Sequence, residues 1–306
     1  MWEEIVSNVY IWKGISALPQ DLEETVQTPQ PIAVAPEPEP KEAALKKPAV
    51  GKPTVGKPET KRRGNPVKFA PISVVMMTHN RNGVRLQNTL DSLLIHQNVP
   101  PMEALVVDTS TDKGIAAGIA QVVSCYPSAR LVRRERTVFN KSLALNIGIR
   151  STQNCAHIAC MDMDVMLSSN FIQTVVSILN KQKVFVLTDT LMIPEHADKN
   201  AFESWNELCD ICPVARPRGP GSFQATNRQW WLNAHGYDER FNGGLGGMDD
   251  NMWIRAKRGG LEIVWIEPKY AQALHQWHEP SPMKGRVSHL FKVNPKVVAN
   301  KQGWGK

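Results

Sequence analysis

The sequence predicts an α/β fold, a mostly parallel central sheet flanked by helices, and three observations carry that prediction. From Pro71 onward, short apolar runs alternate with helix-period segments in repeated strand–loop–helix units. An apolar share of 42% over 306 residues suffices for a substantial buried core. Polar and acidic clusters fall directly after the expected strands, at the edge where open parallel sheets bind ligands.

The apolar run 72–77 reads as a buried strand, and the polar loop 78–83 leads to a helix over 86–96 with Leu86, Leu90, Leu93 and Leu94 on one face. A second strand at 104–107 ends in Asp108-Thr109-Ser110-Thr111-Asp112. A helix over 114–126, a strand at 130–132 and a helix over 140–150 follow, and then a fourth strand ending in Asp162-Met163-Asp164. This half is Rossmann-like, yet it has no GxGxxG loop, which argues against a dinucleotide cofactor. The second half is more mixed. It reads as a helix over 168–182, a strand at 184–188, a proline-punctuated stretch, a strand at 221–226 and a short helix over 228–235. The glycine cluster 243–247 comes next, and Asp249 and Asp250 then open a helix, where the dipole favours negative charge.

Asp162 and Asp164 are the strongest chemical signal. Side chains two apart on an extended segment share a side, so both carboxylates are expected to face one ligand. Hard oxygen ligands at the end of a buried strand suit Mn²⁺ or Mg²⁺ carrying a phosphorylated substrate.

The first 68 residues differ from the rest. Residues 1–20 read as a short docking segment whose apolar positions fit either a helical face or a strand. Residues 21–68 read as a Pro/Lys-rich disordered linker, acidic at first and cationic from residue 41. The body over 69–282 is the folded domain, and 283–306 is a C-terminal extension. Residues 69–306 carry 26 basic and 20 acidic side chains, a balance that favours anionic ligands. The five cysteines are odd in number and scattered, which excludes a disulfide framework as the organising principle. Neither a signal-peptide pattern nor a run of 18 apolar residues occurs, and the expected location is cytoplasmic with no transmembrane segment.

The segments 72–81, 106–112 and 140–149, Asp162-Met163-Asp164, Gly236-Tyr237-Asp238-Glu239-Arg240-Phe241 and Gly246-Gly247-Met248-Asp249-Asp250 occur in an order that resembles the family 2 type, GT-A fold, inverting glycosyltransferases. The glycine-rich acidic segment is also similar to that of β-1,4-galactosyltransferases and chondroitin-polymerase-like enzymes. The resemblance covers about residues 70–280. It implies hexosyl transfer from a nucleotide-sugar, most often a UDP-sugar, to an acceptor hydroxyl. It places Thr78, Arg81, Asp108, Lys141 and Asp162 on the donor nucleotide, Asp164, Asp162 and His275 on the metal, and Asp249 as the general base. Asp250 falls on the acceptor side, and Trp230 and Trp231 could be core residues or could stack on a sugar ring in the acceptor cleft, with Trp231 the acceptor-side candidate. His278, three residues beyond His275, is the second candidate ligand, and the two could share a helical face. Two positions depart from the family pattern: Thr109 replaces a second aspartate after the second strand, and Met248 stands where a glutamate is common.

The chemistry is consistent with that assignment. A departing nucleoside diphosphate gathers negative charge that a divalent ion offsets, and a separate carboxylate takes the proton of the incoming hydroxyl. The expected acceptor is a saccharide or glycolipid. Alternatives are a nucleic-acid acceptor, suggested by the basic balance, or a catalytically inactive nucleotide-sugar-binding scaffold. A protein partner of the N-terminal segment completes the expectations.

Overall fold

The computed structural model describes residues 69–81, 83–181, 183–197, 205–214, 219–242, 247–279 and 296–306. The expected docking segment, the linker, most of the glycine cluster and residues 283–295 lie outside the described residues. The elements are β1 (Ala70–Thr78), α1 (Val84–Leu90) continued by a π-helical turn (Asp91–Ile95), β2 (Pro101–Asp108), α2 (Lys113–Ser124), β3 (Ala129–Arg133) and α3 (Lys141–Ser151). They continue with β4 (His157–Met161), β5 (Val165–Leu167), α4 (Phe171–Leu179), β6 (Val184–Thr188), β7 (Leu191–Met192) and α5 (Trp205–Ile211). Last come β8 (Phe223–Asn227), α6 (Arg228–Asn233), α7 (Met248–Arg258), β9 (Glu262–Ile266) and β10 (Ala273–His275).

Among the described residues a seven-stranded sheet runs in the order β3-β2-β1-β4-β8-β6-β9. All neighbours are parallel except β8, which is antiparallel to both β4 and β6. Parallel strands covered on both faces read as continuous apolar runs. Along β1, Ile72, Val74 and Met76 pack on one side with α1, α2 and α4, whereas Val75 and Met77 pack on the other with α3, α6 and α7. A second sheet, β5-β10-β7, hangs off the carboxyl edge of the first and carries its own apolar cluster with Leu208 and Cys212 near α5. The strands β9, β10, β7 and β5 were not among those expected from the sequence.

Residues 296–306 lie against the domain. Trp304 is buried, and Arg150 on α3 donates to its carbonyl at 2.6 Å. Arg255 on α7 has no exposed surface and donates to the carbonyls of Ala234, Gly236, Lys296 and Val297. Among the described residues no carboxylate contacts this buried guanidinium, which is tolerable because carbonyl acceptors surround it.

Candidate active site

The site lies at the carboxyl edge of β1, β2 and β4. Thr78 closes β1 opposite Asp108, which closes β2, and both are buried. Arg133 Nε lies 3.3 Å from Asp108 Oδ2, and the Ser110 amide donates to Oδ1 at 2.8 Å. The loops after the two strands are stitched by Asn80. Its amide donates to Ser110 Oγ at 2.8 Å, and its Oδ1 accepts from the amides of Thr111 and Asp112 at 2.9 and 3.1 Å. Asparagine tolerates the left-handed backbone this requires, with φ at 49°. That stitch fixes the loop that carries Arg81.

Asp164 sits in the turn between β4 and β5 and is 3% exposed. Its Oδ1 is 3.4 Å from His275 Nε2, its Oδ2 is 3.3 Å from His278 Nε2, and Arg81 Nη1 donates to Oδ2 at 3.0 Å. His275 reaches it because β10 pairs antiparallel with β5 and the Gln276 amide donates to the Asp164 carbonyl at 2.8 Å. Gln276, fully buried, then anchors that strand to α1 by accepting from Asn88 and donating to the Arg85 carbonyl, both at 2.9 Å. The two histidines therefore flank the end of a strand and do not share a helical face. Burial alone would raise the Asp164 pKa, but His275, His278 and Arg81 together more than reverse it and hold the carboxyl well below the usual range. The bond to Asp164 in turn raises the His278 pKa.

Asp164, His275 and His278 offer ligand atoms within 4.8 Å of one another, and the buried His275 Nδ1 has no hydrogen-bond partner among the described residues. One carboxylate oxygen and two imidazole nitrogens suit a divalent first-row ion, so these side chains fit the expected metal. Asp162 is not in this group. The strand ends at Met161, so alternation of side chains no longer holds at 162–164, and Asp162 turns instead to Lys141.

Lys141 opens α3 directly after Asn140, whose side chain caps the helix by accepting from the Leu143 amide. Its buried Nζ lies 2.6 Å from Asp162 Oδ1 and 3.6 Å from Asp249 Oδ2. Burial opposes the ammonium charge, yet the fields of Asp162 and Asp249 more than compensate, so its pKa is raised and the group stays charged. Asp249 stands in the first turn of α7, with its side chain 20% exposed. Burial pushes its pKa up to about 7, Lys141 works against that rise, and Asp162 and Asp250 add to it. Asp250 beside it accepts a long bond of 3.4 Å from the Trp253 indole.

The backbone around Asp249 is held by a relay that the sequence did not announce. Gln224 on β8 donates to the carbonyls of Asp249 and Pro220 and accepts from the Tyr237 hydroxyl at 2.9 Å. Tyr237 is placed by Asn146 on α3, whose Oδ1 accepts from its amide at 2.7 Å and whose Nδ2 donates to its carbonyl at 2.9 Å. Gly236 makes this possible: its φ is +62°, and a Cβ there would lie 2.1 Å from Asn146 Oδ1.

Trp231 requires a correction. It has no exposed surface, its indole donates to the Ile158 carbonyl at 3.0 Å, and Phe185, Trp230 and Tyr237 cover its ring. With both faces packed it is a core residue and cannot stack on a sugar. The residues missed from sequence are Gln276, Asn146 and Gln224, amides whose pairing partners lie far away in the chain, and Arg85. The field of Arg85, in the first turn of α1, acts on Asp164.

Residues 73–244 match the family model for glycosyl transferase family 2. No curated protein sequence gives a significant match. Among solved structures, GalNAc-T7, crystallised with UDP, GalNAc and Mn²⁺, superposes with a TM-score of 0.52 at 13% identity over 69% of this chain and 44% of that one. S. aureus TarS 1–349, in complex with UDP-GlcNAc, gives 0.51 at 12% identity over 69% and 60% respectively. The chain thus spans less than two thirds of either neighbour, and at these identities the likeness is one of fold. The sheet order, the carboxyl-edge crevice and the family match over more than half the sequence lead to one assignment: the chain is a member of glycosyl transferase family 2 with the GT-A fold.

Proposed function

We propose that the chain is a metal-dependent, inverting hexosyltransferase that moves a sugar from a nucleotide-sugar, a UDP-sugar, to an acceptor hydroxyl of a saccharide or glycolipid. The observation that carries this reading is the contrast between Asp164, held strongly acidic among cations, and Asp249, held near neutral behind Lys141. The former suits a diphosphate-and-metal site, and the latter suits proton abstraction at neutral pH. The UDP and UDP-GlcNAc named for the two structural neighbours support the donor class, and the Mn²⁺ named for GalNAc-T7 supports the ion.

In this mechanism Thr78 and Asp108 floor the nucleoside pocket while Arg81 meets the diphosphate. Asp164, His275 and His278 would hold the metal, which when bound supplies charge compensation for the departing diphosphate. Asp249 accepts the proton of the acceptor hydroxyl as that oxygen attacks the anomeric carbon from the face opposite the leaving group, which inverts the configuration. Lys141, pinned by Asp162, keeps the Asp249 carboxylate oriented and its pKa from rising further. Asp250, next to the base, is the acceptor-side carboxylate. Among the described residues no helix is long and apolar enough to cross a membrane, and all five cysteines are free. We place the reaction in the cytoplasm on the thiol reading.

The test is calorimetry of UDP, GDP and CDP against the folded protein with and without Mn²⁺. Metal-dependent binding of UDP alone is the expected result, and a folded sample that binds none of the three would refute the reading.

A further inference from the structure

One contact at the site does not belong to a cluster waiting for a metal. Arg81 Nη1 donates to Asp164 Oδ2 at 3.0 Å and at the same time lies 3.5 Å from His278 Nε2. Both of those residues belong to the proposed trio. A guanidinium has no acceptor lone pair, so its approach to His278 Nε2 is the approach of a cation to the position a metal ligand must offer. Arg81 and a divalent ion therefore compete for the same two groups.

The charges around the trio sharpen the point. Asp164 is its single carboxylate, and the cations of Arg81 and Arg85 both act on it, with Lys141 adding a third positive field. A bare divalent ion entering this cluster must displace a charge-assisted hydrogen bond to a buried carboxylate and leave a guanidinium unpaired beside it. A nucleoside diphosphate changes both terms. Its oxygens offer the guanidinium a planar, bidentate partner, and its negative charge offsets the excess of cations. Arg81 is 32% exposed at the side chain, so on a fixed loop its guanidinium can still turn from one anion to the other while Asp164 stays fixed.

Resting on the metal-dependent reading above, we propose that Arg81 couples the two ligands: it occupies the Asp164–His278 pair until a diphosphate draws it away, so nucleotide and divalent ion bind together and each binds poorly alone. Coupling of this kind is reciprocal, and each ligand tightens the other by the same factor. A second consequence is that free metal is excluded from the resting site, with no closing lid required.

The test is Mn²⁺ binding itself, followed by the electron paramagnetic resonance signal of free Mn²⁺ and corrected for the Mn²⁺–UDP complex measured without protein. In the unaltered chain, saturating UDP is expected to tighten Mn²⁺ binding by roughly 5–150-fold, with inorganic pyrophosphate acting in the same direction. Arg81→Ala is expected to bind Mn²⁺ alone about tenfold more tightly than the parent, and the gain on adding UDP should shrink. A gain of affinity is not what a loosened fold produces. Arg81→Lys, which keeps the charge but lacks the fork, should fall between the two. Equal Mn²⁺ affinity in the parent and Arg81→Ala, combined with loss of binding in His275→Ala, would overturn the coupling while leaving the metal site standing. No Mn²⁺ binding by any variant, with UDP or without it, would overturn both.

Discussion

Asp164 and Asp249 are the same residue type on two sides of one crevice, and their surroundings drive them in opposite directions. Asp164 lies among two imidazoles and a guanidinium, and its proton is expelled. Asp249 is less hidden from water, yet burial still raises its pKa, and because one ammonium is shared between it and Asp162 while the fields of Asp162 and Asp250 add to the rise, its proton is retained to about pH 7. Burial acts alike on both, and the count of cations against carboxylates decides the outcome. That division of labour between two carboxylates is how one fold supplies an anion-holding site and a base together.

The comparison breaks most directly at Asp249. Asp249→Asn preserves shape and removes the proposed base, and turnover should fall by about 10²–10⁴ while the dissociation constant for UDP stays within about twofold, checked by initial rates and calorimetry. Asp164→Ala should act on the other side, weakening Mn²⁺-supported UDP binding by about 10–100-fold. Both variants losing affinity alike would erase the distinction between the two regions.

A subtler probe is Lys141→Met. The proposed mechanism requires the Asp249 carboxylate in its ionised form, so kcat/KM should rise with pH through a limb near 7. Removing the cation that opposes the rise should move that limb to higher pH, by about one unit. A limb that stays in place would detach Lys141 from the base.

The smallest effect is on stability. The folded pKa of Asp249, about 7, lies above the value of about 3.9 for an unfolded aspartate, so the folded state binds the proton more tightly and loses stability as pH rises between them. Asp249→Asn removes that loss and should raise the unfolding free energy at pH 8 by about 1–3 kcal/mol relative to the parent, with no gain at pH 3. Asp164 works the other way. Its depressed pKa contributes stability above the unfolded value that is lost as the medium is acidified.

How much of this was legible beforehand follows from local physics. The units from β1 to β4 are readable because apolar runs alternate with helical segments, α3 is marked by its Asn140 cap, and α7 by Asp249 and Asp250 at its start. The small sheet was not, since strands of two or three residues carry no period to detect. β9 carries a signal of its own, the apolar run Ile263-Val264-Trp265-Ile266, but a run of four does not by itself separate a strand from a buried helix segment. Asp164, Asp249, Lys141 and Arg81 were identifiable as charged groups at strand and helix ends, but their pairing was not. Which carboxylate Lys141 would grip depends on where β4 stops. Trp231 shows the opposite limit: on a helix of six residues, composition cannot say which face meets the core.

The pairing of β10 with β5 carries a consequence for how the chain comes into being. Asp164 leaves the ribosome long before His275 and His278, and its two imidazoles arrive only when the late strand has docked and Gln276 has locked onto α1. A nascent or half-folded chain therefore has the paired ends of β1 and β2 but no ligand trio, and under the proposed function a donor that binds the trio selects finished molecules. By mass action, donor at a hundred times its dissociation constant would add about 2.7 kcal/mol to their stability. Supply of nucleotide-sugar would then set not only the rate of the enzyme but how much of it survives.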